Sequence, residues 1–185
     1  MNKKTVQMVQ IAMMTGVLCV VAPVAIALPF TPVPITFATL ILYLIATFLG
    51  AKKGTICVFL YLLLGMVGLP IFSGFSGGFM IFAKPTGGYV IGYLPCVFLI
   101  GWLLERKKKK VNRMWYLFSF ACGTFCCYLF GTIWFMIIME GTYTVAQTLF
   151  VCVVPYLFFD FIKIGIVTEL IVPIKQRIGQ SGVKG

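Results

Sequence analysis

The chain has 185 residues, of which 61% are hydrophobic and only 10% are charged, and its mean hydropathy is +1.07. A soluble domain of this length cannot bury so much apolar surface, so the composition excludes a soluble protein and predicts an integral membrane protein. The net charge of +11 would suit a nucleic-acid-binding protein. The distribution of the basic residues argues against that class, however, and we expect a lipid bilayer and no nucleic acid as surroundings.

The hydrophobic segments predict an all-α membrane protein with six transmembrane helices in one bundle. At about 20 residues per span, residues 1–185 suit a single integral membrane domain with short loops. In chain order, we expect the spans near 8–28, 34–50, 55–71, 88–104, 115–138 and 155–173.

Basic residues collect at alternate span ends and predict the orientation of the bundle. They precede span one, separate spans two and three, separate spans four and five, and follow span six: Lys3, Lys4, Lys52, Lys53, Arg106, Lys107, Lys108, Lys109, Lys110, Arg113, Lys175, Arg177 and Lys184. Lys84 alone lies on the other side, and Lys163 lies inside a span. By the positive-inside rule, both termini and the basic loops are expected in the cytoplasm.

The N-terminus allows a second interpretation. Lys3 and Lys4, an apolar run and Ala25-Ile26-Ala27 resemble a cleavable signal peptide. Its removal would leave an odd number of spans and disturb the charge alternation, so we favour a retained first span.

The cysteine and histidine content predicts no metal site. The chain has seven cysteines, no histidine and no Cys-x-x-Cys, whereas a zinc site of the usual type needs such ligands at short spacing. We interpret the cysteines as small apolar packing residues and expect no metal and no cofactor.

Two external loops carry more than hydrophobicity. The first, PFTPVPIT from Pro29 to Thr36, has three prolines that impose a stiff extended connection; a tight turn and a ligand-contacting loop fit it equally.

The second external loop, from Gly68 to Gly92, interleaves glycine with aromatic residues. It contains no GK[ST] phosphate loop. Irregular backbone at membrane depth is tolerated against protein or a cavity, so we expect an external glycine-rich loop capping a ligand pocket. The alternative is an interfacial aromatic anchor.

Asp160 and Lys163 stand three residues apart in the apolar segment YLFFDFIKIGIVTELIVP. On a helix they share one face, and charges inside a membrane are costly and usually functional. Counting down the helix to Lys175 places Asp160 in the outer half of the bilayer, on the side of the glycine-rich loop. The pair therefore predicts an externally open binding pocket, with a purely structural ion pair as the alternative.

On span one, Ala12 and Gly16 permit close helix contact, either within the protein or with a partner.

The segments PFTPVPIT, GLPIFSG, KPTGGYVIGY, Tyr128 to Trp134 and the Asp-x-x-Lys of DFIK together resemble BioY, the biotin-specific substrate-binding (S) component of energy-coupling factor (ECF) transporters. The resemblance covers nearly the whole chain in order. It implies a six-helix bundle in a prokaryotic plasma membrane, with the two external loops helping to cover a vitamin. It also implies as partners an energy-coupling transmembrane subunit, which docks at Ala12 and Gly16, and two ATP-binding subunits.

The resemblance implies a division of roles within a biotin site. Asp160 would accept ureido N–H groups, while Lys163 would meet either the ureido carbonyl or the carboxylate. Aromatic side chains would enclose the apolar ring: Phe72, Tyr89, Tyr128 and Trp134. Backbone and hydroxyl groups of the loop would reach the carboxylate: Gly77, Gly78, Thr86, Gly87 and Gly88. Many relatives carry an arginine or other polar residue where this chain has Phe75-Ser76, so either that contact is missing here or Ser73, Ser76 or Lys84 supplies it.

No catalytic apparatus accompanies these residues, since the chain has four acidic residues and no phosphate loop, and we expect no enzyme activity. The leading hypothesis is a high-affinity biotin-binding subunit energised by separate proteins. The alternatives are an S component for another small vitamin, an intramembrane enzyme using Asp160 and Lys163, and a stand-alone proton-coupled carrier in which Glu169 continues a relay from Asp160.

Overall fold

The structure, a computed structural model, describes residues 2–26, 31, 33–107, 112–140 and 144–181. These residues form six α-helices: α1 Lys3–Val21, α2 Ala38–Met66, α3 Gly87–Arg106, α4 Arg113–Ile138, α5 Val145–Cys152 and α6 Val154–Ser181. A two-stranded antiparallel ribbon, β1 Ala25–Ile26 and β2 Ile35–Thr36, lies between α1 and α2. A short 3-10 helix, Phe79–Ala83, lies between α2 and α3.

Five described segments are helical, long and apolar enough to cross a membrane: Lys3–Val21, Ala38–Met66, Gly87–Arg106, Arg113–Ile138 and Val145–Lys175. The predicted helical membrane protein is therefore confirmed at this level. The expected spans near 88–104, 115–138 and 155–173 fall within α3, α4 and α6. The expected spans near 34–50 and 55–71 both fall largely within α2. Four basic residues of the expected cytoplasmic side lie outside the described residues: Lys108, Lys109, Lys110 and Lys184.

α1 ends earlier than the span expected near 8–28. Pro23 follows the helix by two residues, and a proline cannot continue the hydrogen-bonded ladder. The chain then enters β1. Of the expected external segment PFTPVPIT, the structure describes Thr31 and residues 33–36, while three residues lie outside the described ones: Pro29, Phe30 and Pro32.

α2 contains a sharp break at Gly50, whose φ of 75° and ψ of −171° are not helical. Backbone of this type is essentially restricted to glycine. Across the break, a Cβ built on Gly54 would lie 3.3 Å from the Ile45 side chain, a contact that a straight helix cannot make over nine residues. The side chain of Glu105 on α3 accepts the Ala51 N–H at 3.0 Å and so satisfies a donor freed by the break.

Both ends of α2 lie at the same end of the molecule. At its start, Phe37 N–H donates to the Val24 carbonyl at 3.4 Å; beyond its end, Gly74 N–H donates to the adjacent Pro23 carbonyl at 3.0 Å. A straight helix of 29 residues would separate its ends by roughly 43 Å. α2 is therefore two apolar segments that fold back on each other at Gly50.

Small residues bring the central helices together. A Cβ at Gly101 would overlap the backbone of Ala51, and one at Gly123 would overlap the Ile100 side chain, so α3 approaches α2 and α4 closely, as small residues permit in membranes. α1 packs on α2, where the Thr15 hydroxyl donates to the Cys57 carbonyl at 3.3 Å. This packing leaves α6 to close one side of a cavity near the end occupied by β1 and β2.

Candidate functional site

A cavity of about 340 Å³ opens between residues 33–39, the loop of residues 72–86, and helices α3, α4 and α6. Its volume lies within the range typical of small-molecule sites. Seven of the residues singled out from the sequence as substrate-binding line it: Phe72, Ser73, Thr86, Tyr89, Tyr128, Asp160 and Lys163. The cavity therefore brings the charged pair of α6 together with residues of the glycine-rich loop.

Lys163 is buried and fully engaged. Its ammonium donates to Asp160 Oδ1 at 3.1 Å, to the Thr36 carbonyl at 2.8 Å and to Thr39 Oγ1 at 3.2 Å. An ammonium has three donors, so each has a partner within the protein. Lys163 thus connects α6 to the start of α2, and it has no spare donor for a ligand in this arrangement.

Asp160 is also buried, with 7% of its surface exposed, but it retains acceptor capacity. Its Oδ1 accepts from Lys163 and its Oδ2 accepts from the Tyr128 hydroxyl. A carboxylate offers about four lone-pair sites, so two remain available. Lys163 supplies an adjacent positive charge, and the Tyr128 hydroxyl supplies a second donor. The site therefore presents a buried anionic acceptor suited to N–H donors of a ligand.

Aromatic rings form the apolar part of the lining. Phe72 is 1% exposed and meets Tyr61 edge-on, with 5.4 Å between ring centroids. Tyr89 and Tyr128 make a similar edge-on pair at 6.4 Å. Rings held in this way provide rigid apolar surface at low entropic cost.

The loop contributes a different set of polar groups. Lys84 lines the cavity and is exposed, and among the described residues the ion pairs are Asp160–Lys163 and Arg113–Glu169, neither of which involves it. The Ser73 hydroxyl is buried and has no hydrogen-bond partner within the part of the chain that the structure describes. A buried polar atom without a partner is costly, and at a cavity wall it suits a ligand acceptor. The open side of the cavity thus favours an anion.

Five predicted substrate-binding residues lie outside this lining: Gly77, Gly78, Gly87, Gly88 and Trp134. Two of these glycines pack closely against neighbouring groups. A Cβ on Gly88 would overlap the Trp134 side chain, and one on Gly77 would overlap the Leu69 carbonyl. Gly78 has a φ of 91°, which favours glycine. The repeated glycines thus serve close packing and turning of the loop.

The lining also contains residues that the sequence analysis did not single out. Thr39, Tyr93, Thr124, Cys127 and Tyr156 all reach the cavity, and so does Thr36, which was noted only as the end of the first external loop. Tyr156 could have been found from its spacing, because it stands four residues before Asp160 and shares its helix face. Thr36 and Thr39 carry no comparable signal, since they meet Lys163 from more than 120 positions away in the chain.

Two other predicted features lie away from the cavity. Glu169 pairs with Arg113, and both side chains are more than half exposed, at 56% and 62%. Ala12 and Gly16 are exposed on α1, and a Cβ added to Gly16 would meet no other atom within 4 Å. The small-residue face of α1 is therefore unused in packing among the described residues.

Known proteins resemble the chain along most of its length. A model of the BioY family matches residues 1–180. The biotin transporter BioY of Thermotoga maritima is 35% identical over 151 residues, which cover 82% of this chain and 86% of that protein. The biotin transporter BioY2 of Lactococcus lactis is 32% identical over 167 residues, covering 90% and 88%. The crystal structure of the S-component for biotin from an ECF-type ABC transporter is similar with a TM-score of 0.86 and 27% identity, covering 95% of each chain.

Proposed function

The chain belongs to the BioY family, and on that premise we propose that it is the high-affinity biotin-binding S component of a vitamin importer. The observation that carries the proposal is the buried Asp160 carboxylate, which keeps free lone pairs at the wall of a cavity lined by aromatic rings. Biotin offers what this site lacks: ureido N–H donors, an apolar fused ring and a carboxylate.

In this proposal the ureido group meets Asp160, because N–H bonds to a carboxylate are short and strong. The fused ring lies against Phe72, Tyr89 and Tyr128. Asp160 is buried whereas Lys84 is exposed, so the valerate extends toward the open side, where Lys84, Ser73 and Thr86 receive its carboxylate. Lys163 orients and neutralises Asp160 and keeps its own bonds to Thr36 and Thr39.

The proposal extends to membrane topology. The two segments of α2 would each cross the bilayer, which gives six spans with both termini in the cytoplasm of a prokaryotic cell. Lys52 and Lys53 directly follow the break at Gly50, where the positive-inside rule expects cytoplasmic charge. The cavity then lies at the external end, together with β1 and β2.

The partners proposed are an energy-coupling transmembrane subunit and two ATP-binding subunits. The sequence carries no phosphate-binding motif, so in this proposal separate ATP-binding subunits supply the energy for uptake. The exposed small-residue face around Ala12 and Gly16 is the proposed docking surface, since small residues permit close helix contact.

Saturation binding to the purified chain in detergent, without ATP, tests the proposal. Labelled biotin should bind one-to-one and should be displaced by unlabelled biotin but not by riboflavin or thiamine. Displacement by another vitamin, with no competition from biotin, would refute the substrate assignment. In vesicles, the chain alone should give no uptake driven by a proton gradient. Such uptake would favour a stand-alone proton-coupled carrier. A carrier of that kind would need Glu169 in a proton relay, whereas Glu169 is paired with Arg113.

A further inference from the structure

Three polar side chains form one stripe on α6. Tyr156, Asp160 and Lys163 follow at spacings of four and three residues, so they share a helix face, and their exposed fractions are 6%, 7% and 9%. All three line the cavity. In the proposed function Asp160, the middle residue, accepts hydrogen bonds from the ligand. Tyr156 and Lys163 instead bind the chain segment on the opposite side of the cavity.

The segment opposite comprises residues 33–36, here called the wall segment, and forms one side of the cavity. Its own backbone support is slight. β2 contributes two residues to a ladder with β1, and an isolated two-stranded ribbon is marginally stable. The wall segment therefore depends on side chains from elsewhere for its position.

Tyr156 supplies such support through a closed hydrogen-bond network. Its hydroxyl donates to the Val33 carbonyl and lies 2.7 Å from the Thr31 hydroxyl, which in turn accepts the Val33 N–H at 3.2 Å. Because the tyrosine proton is used on Val33, the Thr31 hydroxyl is the donor to Tyr156. Each group in the network is satisfied, and both backbone groups of Val33 take part.

We infer that Tyr156 is a positioning residue that holds the wall segment against α6 and thereby slows the escape of bound ligand. The inference rests on the proposed function for the identity of that ligand. Lys163 holds the far end of the same segment at Thr36, but it also pairs with Asp160. The Tyr156 hydroxyl bonds instead to Thr31 and Val33, so its removal leaves the Asp160–Lys163 pair intact.

The test compares Tyr156→Phe with Tyr116→Phe. Tyr116 is also a buried tyrosine, at 5% exposure, but it lies on α4 outside the cavity lining. Amide hydrogen exchange over residues 33–37 should accelerate in Tyr156→Phe and stay at the wild-type rate in Tyr116→Phe. Dissociation of labelled biotin into an unlabelled chase should become about five- to a hundredfold faster in Tyr156→Phe, as expected for the loss of two hydrogen bonds, and should not change in the control.

Thr31→Val provides a second route if Tyr156→Phe folds poorly. It removes the other hydroxyl of the network with little change in shape, and it should give the same two effects. Wild-type exchange over residues 33–37 in both Tyr156→Phe and Thr31→Val would overturn the positioning role. Faster exchange with unchanged dissociation would overturn its role in ligand retention. Failure of the wild-type chain to bind biotin would instead refute the proposed function, and the exchange measurements would still decide whether Tyr156 positions the wall.

Discussion

Asp160 is the residue at which substitution should weaken biotin binding most. Asp160→Asn keeps the shape but replaces an acceptor by an N–H donor, which would face a ureido N–H. Loss of a hydrogen bond to a charged group costs about 1.5–3 kcal/mol, and the buried Lys163 loses its counter-charge. At 1.4 kcal/mol per tenfold, affinity should fall by roughly 10–100-fold or more, as measured by titration calorimetry.

A double-mutant cycle measures the coupling between Asp160 and Lys163 separately from the contribution of each residue to biotin affinity. Lys163→Met should also weaken binding, and the double mutant should be less than additive, because each single change strands the other charge. Glu169→Gln is the control, since Glu169 pairs with Arg113 at the surface, and its affinity should equal that of the wild type. Wild-type affinity in Asp160→Asn would make the pair a structural one and place the ligand elsewhere.

Lys84 should contribute to binding only through the carboxylate of the ligand. Because Lys84 is exposed, its ion pair is worth about 0.2–1 kcal/mol, so Lys84→Met should weaken biotin binding by up to about fivefold. The methyl ester of biotin, which has no charge at that end, should bind both proteins equally. Lys52→Met, with an exposed lysine beside Gly50, should bind both ligands as the wild type does. An equal loss for acid and ester would exclude Lys84 as the carboxylate partner.

The sequence predicted the chemistry of this site better than its contacts. Asp160 and Lys163 stand out because their surroundings are apolar, and charged residues there are rare. The partners of Lys163 could not be predicted, since Thr36 and Thr39 are ordinary residues that long-range folding brings close. The glycines drew attention by their number, although Gly77 and Gly88 serve packing rather than the lining.

Gly50 in α2 should tolerate substitution poorly. Its φ of 75° and ψ of −171° cost a side-chain-bearing residue about 1–3 kcal/mol, and a Cβ there would overlap Glu105. Gly50→Ala should therefore lower the thermal unfolding temperature in detergent. Gly16→Ala is the matched control, because a Cβ at Gly16 meets nothing within 4 Å, and it should leave that temperature unchanged or raise it slightly. Equal unfolding temperatures for both variants would contradict the sharp turn at Gly50.

The turn at Gly50 also shows which feature of the helices could not be predicted from the sequence. Lys52 and Lys53 indicated a boundary between two apolar segments, so the sequence predicted spans near 34–50 and 55–71 with a loop between them. The structure joins the segments at one residue without a loop, which requires a backbone conformation that residue types alone do not reveal. The end of α1 at Val21 could have been predicted from Pro23. The expected span ran past this proline because the residues around it are hydrophobic.

α1 offers a test of partner docking that is separate from ligand binding. Gly16 is exposed and lies away from the cavity, so Gly16→Trp should leave biotin affinity unchanged. In the assembled importer the large ring should prevent close helix contact and abolish ATP-dependent uptake. Phe125→Trp, at an exposed position of α4, should transport normally. Normal uptake by Gly16→Trp would show that the partner docks on another surface.

At the scale of the whole molecule, the distribution of charge and apolar surface describes a receptor. Basic residues flank the ends of the helices, as at Lys52 beside Gly50 and at Arg113 where α4 begins. A buried ion pair, in contrast, reaches a cavity near β1 and β2. Nothing in the sequence supplies ATP hydrolysis. The molecule therefore suits capture of a small ligand, and in the proposed importer the energy for transport comes from other subunits.

Mass spectrometry of the small molecule that co-purifies with the chain tests the central claim most directly. The chain should be purified under native conditions from cells supplied with a mixture of vitamins, and Asp160→Asn should be purified in parallel. The wild type should retain biotin at close to one molecule per chain, while Asp160→Asn should retain much less. Retention of a different vitamin by the wild type, with biotin absent, would contradict the proposed function.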